Sequence, residues 1–164
     1  MSEHNHIERE PVNARIFPPP PVMLLLFLAA GFLLEKVVPL VKRPAAPPPE
    51  SIVIGGLVVG IALAIGVLAV RQMRRHKTTV FPGGTASALV QAGVFSRSRN
   101  PIYLSMVLLM LGLGIATARP WLILLAPALL FYLQERVIKR EEAYLAARFG
   151  AEYSAYRQKV RRWF

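Results

Sequence analysis

The sequence predicts an all-α integral membrane protein with four transmembrane helices and a cytoplasmic C-terminal interfacial helix, folded as a single domain. The first observation is that 54% of the 164 residues are hydrophobic, and most of them fall into four apolar runs. The second is a strongly basic remainder, which gives a net charge of +11. A basic chain can bind nucleic acid or anionic lipid, and the apolar runs favour membrane lipid and argue against nucleic acid as the partner.

The first two predicted spans are long enough to cross a bilayer. Val22–Leu40 contains nineteen residues interrupted by a single Glu-Lys pair, and Ser51–Val70 contains twenty residues without a charge. A helix needs about 20 apolar residues to cross roughly 30 Å of hydrocarbon. Gly56 and Gly60 form a GxxxG pattern in the second span, which predicts close packing against a neighbouring helix.

The third and fourth predicted spans form a helical hairpin. Ile102–Thr117 and Trp121–Leu133 contain sixteen and thirteen residues, and only residues 118–120 separate them. This short connection predicts antiparallel helices, either in a locally thinned bilayer or shielded by the first pair. Asn100 and Pro101 suit the N-cap and the first helical position of the third span.

The distribution of Lys and Arg predicts the orientation. Sixteen of these residues lie in the N-terminal tail, between spans two and three, or after span four, and four lie on the opposite face. The positive-inside rule therefore places both termini in the cytoplasm, and we expect a bacterial inner membrane. The predicted organisation is a tail (1–21), two spans (22–70), a cytoplasmic loop (71–100), and the hairpin with its C-terminal segment (101–164).

Composition excludes several kinds of active site. The chain has no Cys and no Asp, so it offers neither a thiolate nor a Ser-His-Asp triad. His4 and His6 are read as part of a polar tail, and no metal site is expected. The remaining candidate is a charge cluster: Arg99 precedes the third span, and Glu141 and Glu142 follow the fourth, at the same membrane face.

The Glu pair is expected to lie on a helix that continues out of the bilayer. Adjacent residues are about 100° apart on a helix, so at least one of these carboxylates can turn inward. An inward carboxylate needs a cationic partner, either Arg97 and Arg99 or a cationic ligand. Glu135 and Lys139 have the spacing of an i,i+4 ion pair.

The last part of the chain suits an interfacial helix that is broken at Gly150. An apolar stripe at helical spacing follows the break, and it consists of Tyr153, Tyr156, Val160 and Trp163. Such a segment lies in the headgroup layer or closes over a ligand.

Four short motifs follow one another between about Thr78 and the C-terminus. They are Gly93-Val94-Phe95, Arg99-Asn100-Pro101-Ile102-Tyr103, Glu141-Glu142, and Phe149-Gly150-Ala151-Glu152-Tyr153-Ser154-Ala155-Tyr156. In this half the chain resembles the membrane-embedded methyltransferases typified by isoprenylcysteine carboxyl methyltransferase and phospholipid methyltransferase. It departs from their usual Arg-His-Pro-x-Tyr pattern, because Asn100 replaces the His.

The resemblance implies that S-adenosylmethionine is the cofactor and that residues 101–164 are the catalytic part. It implies a lipophilic methyl acceptor, isoprenylcysteine-carboxylate-like or phospholipid-like, drawn from the membrane. The implied catalytic residues are Arg136 and Glu141. The implied cofactor-binding residues are Gly93, Val94, Arg99, Asn100, Pro101, Tyr103 and Glu142. A carboxylate suits the cofactor's ammonium and sulfonium, and an arginine or a helix N-terminus suits its carboxylate.

Three alternatives stay open at this point. Gly112-Leu113-Gly114 matches a Gly-x-Gly of the phospholipid-methylating branch, although Gly112 and Ala116 equally form a packing face for another helix. The chain also resembles membrane sterol and steroid reductases, which use a nicotinamide cofactor. A non-enzymatic scaffold, in which the Arg and Glu clusters neutralise each other, is the third. The sequence identifies neither the acceptor nor the oligomeric state.

Overall fold

The computed structural model describes residues 18–41, 46–78 and 86–164. Within these ranges the chain is helical and contains no β-strand. The helices are α1 (Pro20–Val37), α2 (Pro49–Arg75), α3 (Pro101–Ala116), α4 (Pro120–Tyr132) and α5 (Lys139–Lys159). A 3-10 turn, Gly93–Ser96, precedes α3, and a π-helical segment, Leu133–Ile138, joins α4 to α5. Most of the predicted N-terminal tail, with His4 and His6, and residues 79–85 of the predicted loop lie outside the described residues.

Prolines begin the first four helices. α1, α2, α3 and α4 each have proline in the first turn. Proline suits this position because its fixed φ is already helical and its missing N–H would have no partner there. The helices therefore start one or two residues before the predicted spans. α2 also runs five residues past its predicted end, since the mostly polar residues 71–75 do not interrupt the helix.

In the part of the chain that the structure describes, three helical stretches are long and apolar enough to cross a membrane: α1, α2 and the stretch from Pro120 to Lys159, which is kinked at Gly150. The prediction of an all-helical chain is confirmed for the described residues, which include these three candidate membrane spans. α3 is a shorter apolar helix of 16 residues, and at 1.5 Å per residue it is about 24 Å long. The predicted fourth span is not an isolated helix of thirteen residues, because α4 continues through the π-helical segment into α5.

Small residues let α2 and α3 approach closely. A Cβ added to Gly112 would lie 2.8 Å from the Val59 nitrogen and 3.0 Å from the Gly55 carbonyl oxygen. A Cβ added to Gly55 would collide with the backbone of Ala116. The predicted packing face at Gly112 and Ala116 is therefore confirmed.

The predicted packing role of Gly56 and Gly60 is wrong. A Cβ added to either residue would meet nothing within 4 Å. The buried face of α2 instead consists of Gly55, Ala62 and Ala69, which are seven residues apart. Because neighbours on a helix are about 100° apart, Gly56 points well away from this face although it adjoins Gly55 in sequence.

The main core lies between α4, α3 and α1 and extends into the π-helical segment. Its fully buried members are Met110, Leu122, Ala126, Leu129, Leu133, Val137 and Ile138. Gly31 of α1 lets the Leu122 side chain approach, since an added Cβ there would collide with it. The Trp121 indole N–H donates to the Val38 carbonyl oxygen at 2.7 Å and so ties α4 to the end of α1.

The C-terminal segment folds back onto the loop before α3. Gly150 breaks α5 as predicted, with a φ of 48° that favours glycine. Tyr153, Tyr156 and Val160 then bury together in one cluster, whereas Trp163 packs against the main core. The predicted stripe is thus buried against the protein along most of its length.

Candidate functional site

Three parts of the chain meet at one buried carboxylate. Glu142, in the first turn of α5, is 8% exposed. Its oxygens lie 3.1 Å from Nη2 of Arg99 and 2.6 Å from Nη2 of Arg162, and Nε of Arg162 donates at 3.0 Å. We call Arg99, Glu142 and Arg162 the Glu142 cluster. Of the two cationic partners considered from sequence, Arg99 contacts Glu142, and Arg162 provides the second.

The backbone of the C-terminal tail holds the turn that presents Arg99. The Arg99 amide donates to the Arg161 carbonyl oxygen at 3.1 Å. The Asn100 side-chain amide donates to the Arg162 carbonyl oxygen at 3.1 Å, and the Ser98 hydroxyl donates to the same oxygen at 3.3 Å. The tail therefore fixes both the turn and the second arginine of the cluster.

Asn100 occupies the predicted N-cap position, but the prediction that its side chain caps the helix is wrong. The Asn100 side chain makes no capping hydrogen bond to α3, because the carbonyl of Arg162 takes its amide instead. Pro101 does occupy the first helical position and is fully buried. The sequence located the start of the helix correctly, but the nearby tail decides what the asparagine bonds.

Glu141 has a different partner from its neighbour. The Tyr103 hydroxyl of α3 donates to Glu141 Oε1 at 2.7 Å. Burial raises the pKa of Glu141 from 4.5 to about 7, against the opposing effect of this hydrogen bond. The prediction that at least one of the two glutamates turns inward is confirmed, and both have partners. The ion pair of Glu135 with Lys139 is also confirmed, at 2.6 Å.

Arg99 retains unused donors inside the protein. Its side chain is 9% exposed and contacts Glu142 through Nη2. Its Nε and Nη1 are buried without a hydrogen-bond partner. Buried, unpaired N–H groups of a guanidinium are costly, and an acceptor oxygen of an anionic ligand would satisfy either of them.

Gly93 and Val94 lie on the opposite side of the loop, against α2. Gly93 has a φ of 60°, and a Cβ there would collide with the Gln72 side chain. Val94 packs with an apolar cluster that includes Ala69 and Phe95. Among the described residues, neither of them hydrogen-bonds to a member of the Glu142 cluster. The turn is joined to α5 through Phe95, whose carbonyl oxygen accepts a hydrogen bond from the Tyr156 hydroxyl at 2.6 Å.

Arg136 lies on the π-helical segment and is exposed. Within the described ranges it forms no salt bridge and no hydrogen bond with the Glu142 cluster. The buried residues of its segment are Leu133, Val137 and Ile138. The structure therefore brings together Arg99, Asn100, Pro101, Tyr103 and the two glutamates, and leaves Arg136 apart from them.

Comparison of the sequence with known proteins places the chain in a family. The family model described as phospholipid methyltransferase matches residues 51–152. The chain belongs to the phospholipid methyltransferase family. An uncharacterized protein of Haemophilus influenzae is 39% identical over 64 residues, which are 38% of this chain and 98% of that protein. No solved structure matches.

The match to the phospholipid methyltransferase family includes Arg99, Tyr103, Glu141 and Glu142 and ends before Arg162. Membership indicates methyl transfer at the level of the family. Sequence reasoning missed Arg162, because it considered only Arg97, Arg99 and a cationic ligand as partners of the inward glutamate. The signal was available: a buried glutamate with one nearby arginine leaves carboxylate oxygens that a second cation can bind.

Proposed function

We propose that the protein is an S-adenosylmethionine-dependent methyltransferase that acts on a lipophilic acceptor at the cytoplasmic face of the membrane. In this proposal the chain crosses a bacterial inner membrane four times, with α3 and α4 as the short hairpin and both termini in the cytoplasm. The acceptor is isoprenylcysteine-carboxylate-like or phospholipid-like. The supporting observation is that Arg99, Tyr103, Glu141 and Glu142 lie together at one end of this hairpin, within the family match.

The residues fit the charges of the cofactor. The unpaired, buried donors of Arg99 suit an anionic oxygen of the cofactor. The carboxylates of Glu141 and Glu142 suit an ammonium or a sulfonium, and the Tyr103 hydroxyl positions Glu141 by its hydrogen bond. When bound, S-adenosylmethionine supplies an activated methyl group. The chain's own contribution is to orient the acceptor in line with that group and to exclude water.

Glu141 is the candidate for proton transfer. A pKa of about 7 lets its carboxylate accept a proton near neutral pH, and this matters for an amine acceptor, which loses a proton when it is methylated. A carboxylate acceptor needs no base. The two acceptor classes therefore predict different consequences for the variant Glu141→Gln.

The scaffold alternative also has a specific observation in its favour. Both oxygens of Glu142 are already bound by arginines, as expected if the cluster only neutralises charge. The scaffold and the enzyme differ in whether the site takes a ligand. Under the enzyme proposal, a bound ligand draws on the free donors of Arg99 and on the carboxylate of Glu142.

Titration of the purified protein with S-adenosylhomocysteine and with NADPH tests the proposal. We expect S-adenosylhomocysteine to bind, and Glu142→Gln to weaken its binding by about 1.5–3 kcal/mol, the scale of a charge-assisted hydrogen bond. Glu152→Gln is the matched control, since Glu152 is an exposed glutamate on the same helix. Binding of NADPH alone would favour the reductase, and binding of neither ligand to the folded protein would favour the scaffold.

Transfer of a labelled methyl group to membrane lipid extracts tests the acceptor. Glu141→Gln is compared with the parent protein at saturating cofactor. If the labelled product is an amine, we expect the variant to lose most of the transfer while it still binds S-adenosylhomocysteine. If the product is a carboxyl ester, transfer should survive, because no proton has to be removed.

A further inference from the structure

A groove of about 420 Å³ lies between α2 and α3, on a different face of α3 from Tyr103. Ser105, Met106 and Leu109 line it from α3. Tyr103, Val107 and Met110 are buried members of the main core, against which Met106 and Leu109 pack while partly exposed. At about 100° per residue, the centres of these two sets lie roughly a third of a turn apart. The groove is therefore separate from the Glu142 cluster.

The body of the groove is apolar. On the α2 side it is lined by Ala62, Leu63, Gly66 and Val67. Gly66 brings its backbone close to α3, since an added Cβ would lie 3.0 Å from the Ser105 hydroxyl oxygen. That hydroxyl donates to the Ile102 carbonyl oxygen at 2.7 Å, so its hydrogen is already used within the helix. The groove body thus suits a hydrocarbon chain.

One end of the groove is positively charged. Arg71 and Arg74 line it, one helical turn apart on the same side of α2, where the helix leaves its apolar span. None of the residues that line the groove is acidic. Neither arginine forms a salt bridge among the described residues. The rise from Ala62 to Arg71 is about 13 Å, so the charged end and the apolar body lie in sequence along the axis of α2.

We propose that this groove binds one anionic phospholipid, with its phosphate between Arg71 and Arg74 and one acyl chain along the apolar body. The charge favours a lipid with a net negative headgroup, because two arginines without a lining carboxylate are complementary to such a headgroup. Basic pockets between membrane helices bind anionic headgroups in this way. The bound lipid is distinct from the methyl acceptor, since the groove opens away from Tyr103 and Glu141.

Native mass spectrometry of the purified full chain in neutral detergent tests the proposal. Phosphatidylglycerol and phosphatidylcholine with the same acyl chains are added in parallel, and we expect at least tenfold tighter binding of phosphatidylglycerol. The double variant Arg71→Gln with Arg74→Gln should lose that preference. Its control, Arg75→Gln with Lys77→Gln, removes two exposed charges from the same end of α2 outside the groove and should change binding less than twofold.

A second pair of variants tests the apolar body. Val67 and Leu68 are both 47% exposed, but only Val67 lines the groove. Val67→Trp should fill the groove and weaken the binding of both lipids by about tenfold, whereas Leu68→Trp should leave it unchanged. Equal binding of the two lipids, equal losses in the two double variants, or unaltered binding in Val67→Trp would each overturn the proposal.

The outcome is independent of the proposed enzymatic function. Titration of the same variants with S-adenosylhomocysteine should give the affinity of the parent, because the groove and the Glu142 cluster lie on different faces. A protein that selects phosphatidylglycerol but binds no S-adenosylhomocysteine would retain this inference and refute the methyltransferase proposal.

Discussion

Replacing Glu142 by Gln should destabilise the protein more than any other single charge change on α5. Gln has nearly the same shape, but it cannot neutralise Arg99 and Arg162. The side chains of Arg99, Glu142 and Arg162 are 9%, 10% and 30% exposed. Removing one partner of a buried ion pair costs about 3–5 kcal/mol. Because Arg162 can regain water, we expect a value of about 3 kcal/mol, at the lower end of that range.

Unfolding in mixed micelles with increasing sodium dodecyl sulfate measures this difference without ligand. Arg162→Gln leaves the contact between Arg99 and Glu142 in place and should cost about 1–1.5 kcal/mol. The double variant Glu142→Gln with Arg162→Gln should cost less than the sum, because the two residues share one interaction. Glu152→Gln is the exposed control and should stay within about 0.5 kcal/mol of the parent.

A loss below about 0.5 kcal/mol for Glu142→Gln would refute this reasoning. Additive losses in the double variant would refute it as well, because they would show that Arg162 and Glu142 stabilise the fold independently. Either result would mean that the cluster does not hold the C-terminal tail against the start of α3.

Four further predictions follow from single features. Burial keeps the proton on Glu141 up to about pH 7 in the folded protein, whereas the unfolded chain releases it near 4.5. Its contribution to stability should therefore fall as pH rises through this window and stay constant above it, and Glu141→Gln should flatten the profile. Gly55→Leu should prevent close packing of α2 on α3 and reduce the folded yield, whereas Gly56→Leu, which points into open space, should be tolerated. Asn100→Ala should lose the bond to the C-terminal tail, about 1 kcal/mol of stability, and weaken S-adenosylhomocysteine binding; Asn100→His should preserve that binding. Reporters fused at either terminus should be active in the cytoplasm and a reporter within 42–50 outside; a C-terminal reporter active only in the periplasm would contradict the orientation.

The helices could be predicted from sequence because their causes are local. Apolar run length and proline position determine where each helix begins, and both are visible in the chain. The sequence predicted that α2 packs through Gly56, whereas in the structure it packs through the preceding residue, Gly55. Both glycines lie in the same apolar run, and only the position of α3 distinguishes them.

The candidate site was predictable in part for the same reason. Because the two helices of the hairpin are antiparallel, the sequence predicts that Arg99 and the glutamates lie at the same membrane face. The partners of Glu142 and Asn100 depend on where the chain goes after Gly150, and helical periodicity does not determine that path. The role of Arg162 is therefore seen only in the structure, and this includes its carbonyl oxygen, which accepts from both Asn100 and Ser98.

The π-helical segment between α4 and α5 changes how positions in this protein correspond to those of relatives. Glu142 lies nine residues after Leu133, and in an unbroken α-helix those nine residues would place it about 180° away, on the opposite face. A wide turn accommodates about one extra residue, which brings Glu142 round to roughly 80° from Leu133. Arg136 lies inside this turn. The spacing between the glutamates and an earlier residue such as Arg136 therefore identifies equivalent positions only in proteins that share the extra residue. In a relative with a regular helix, the equivalent position is one residue away in the sequence.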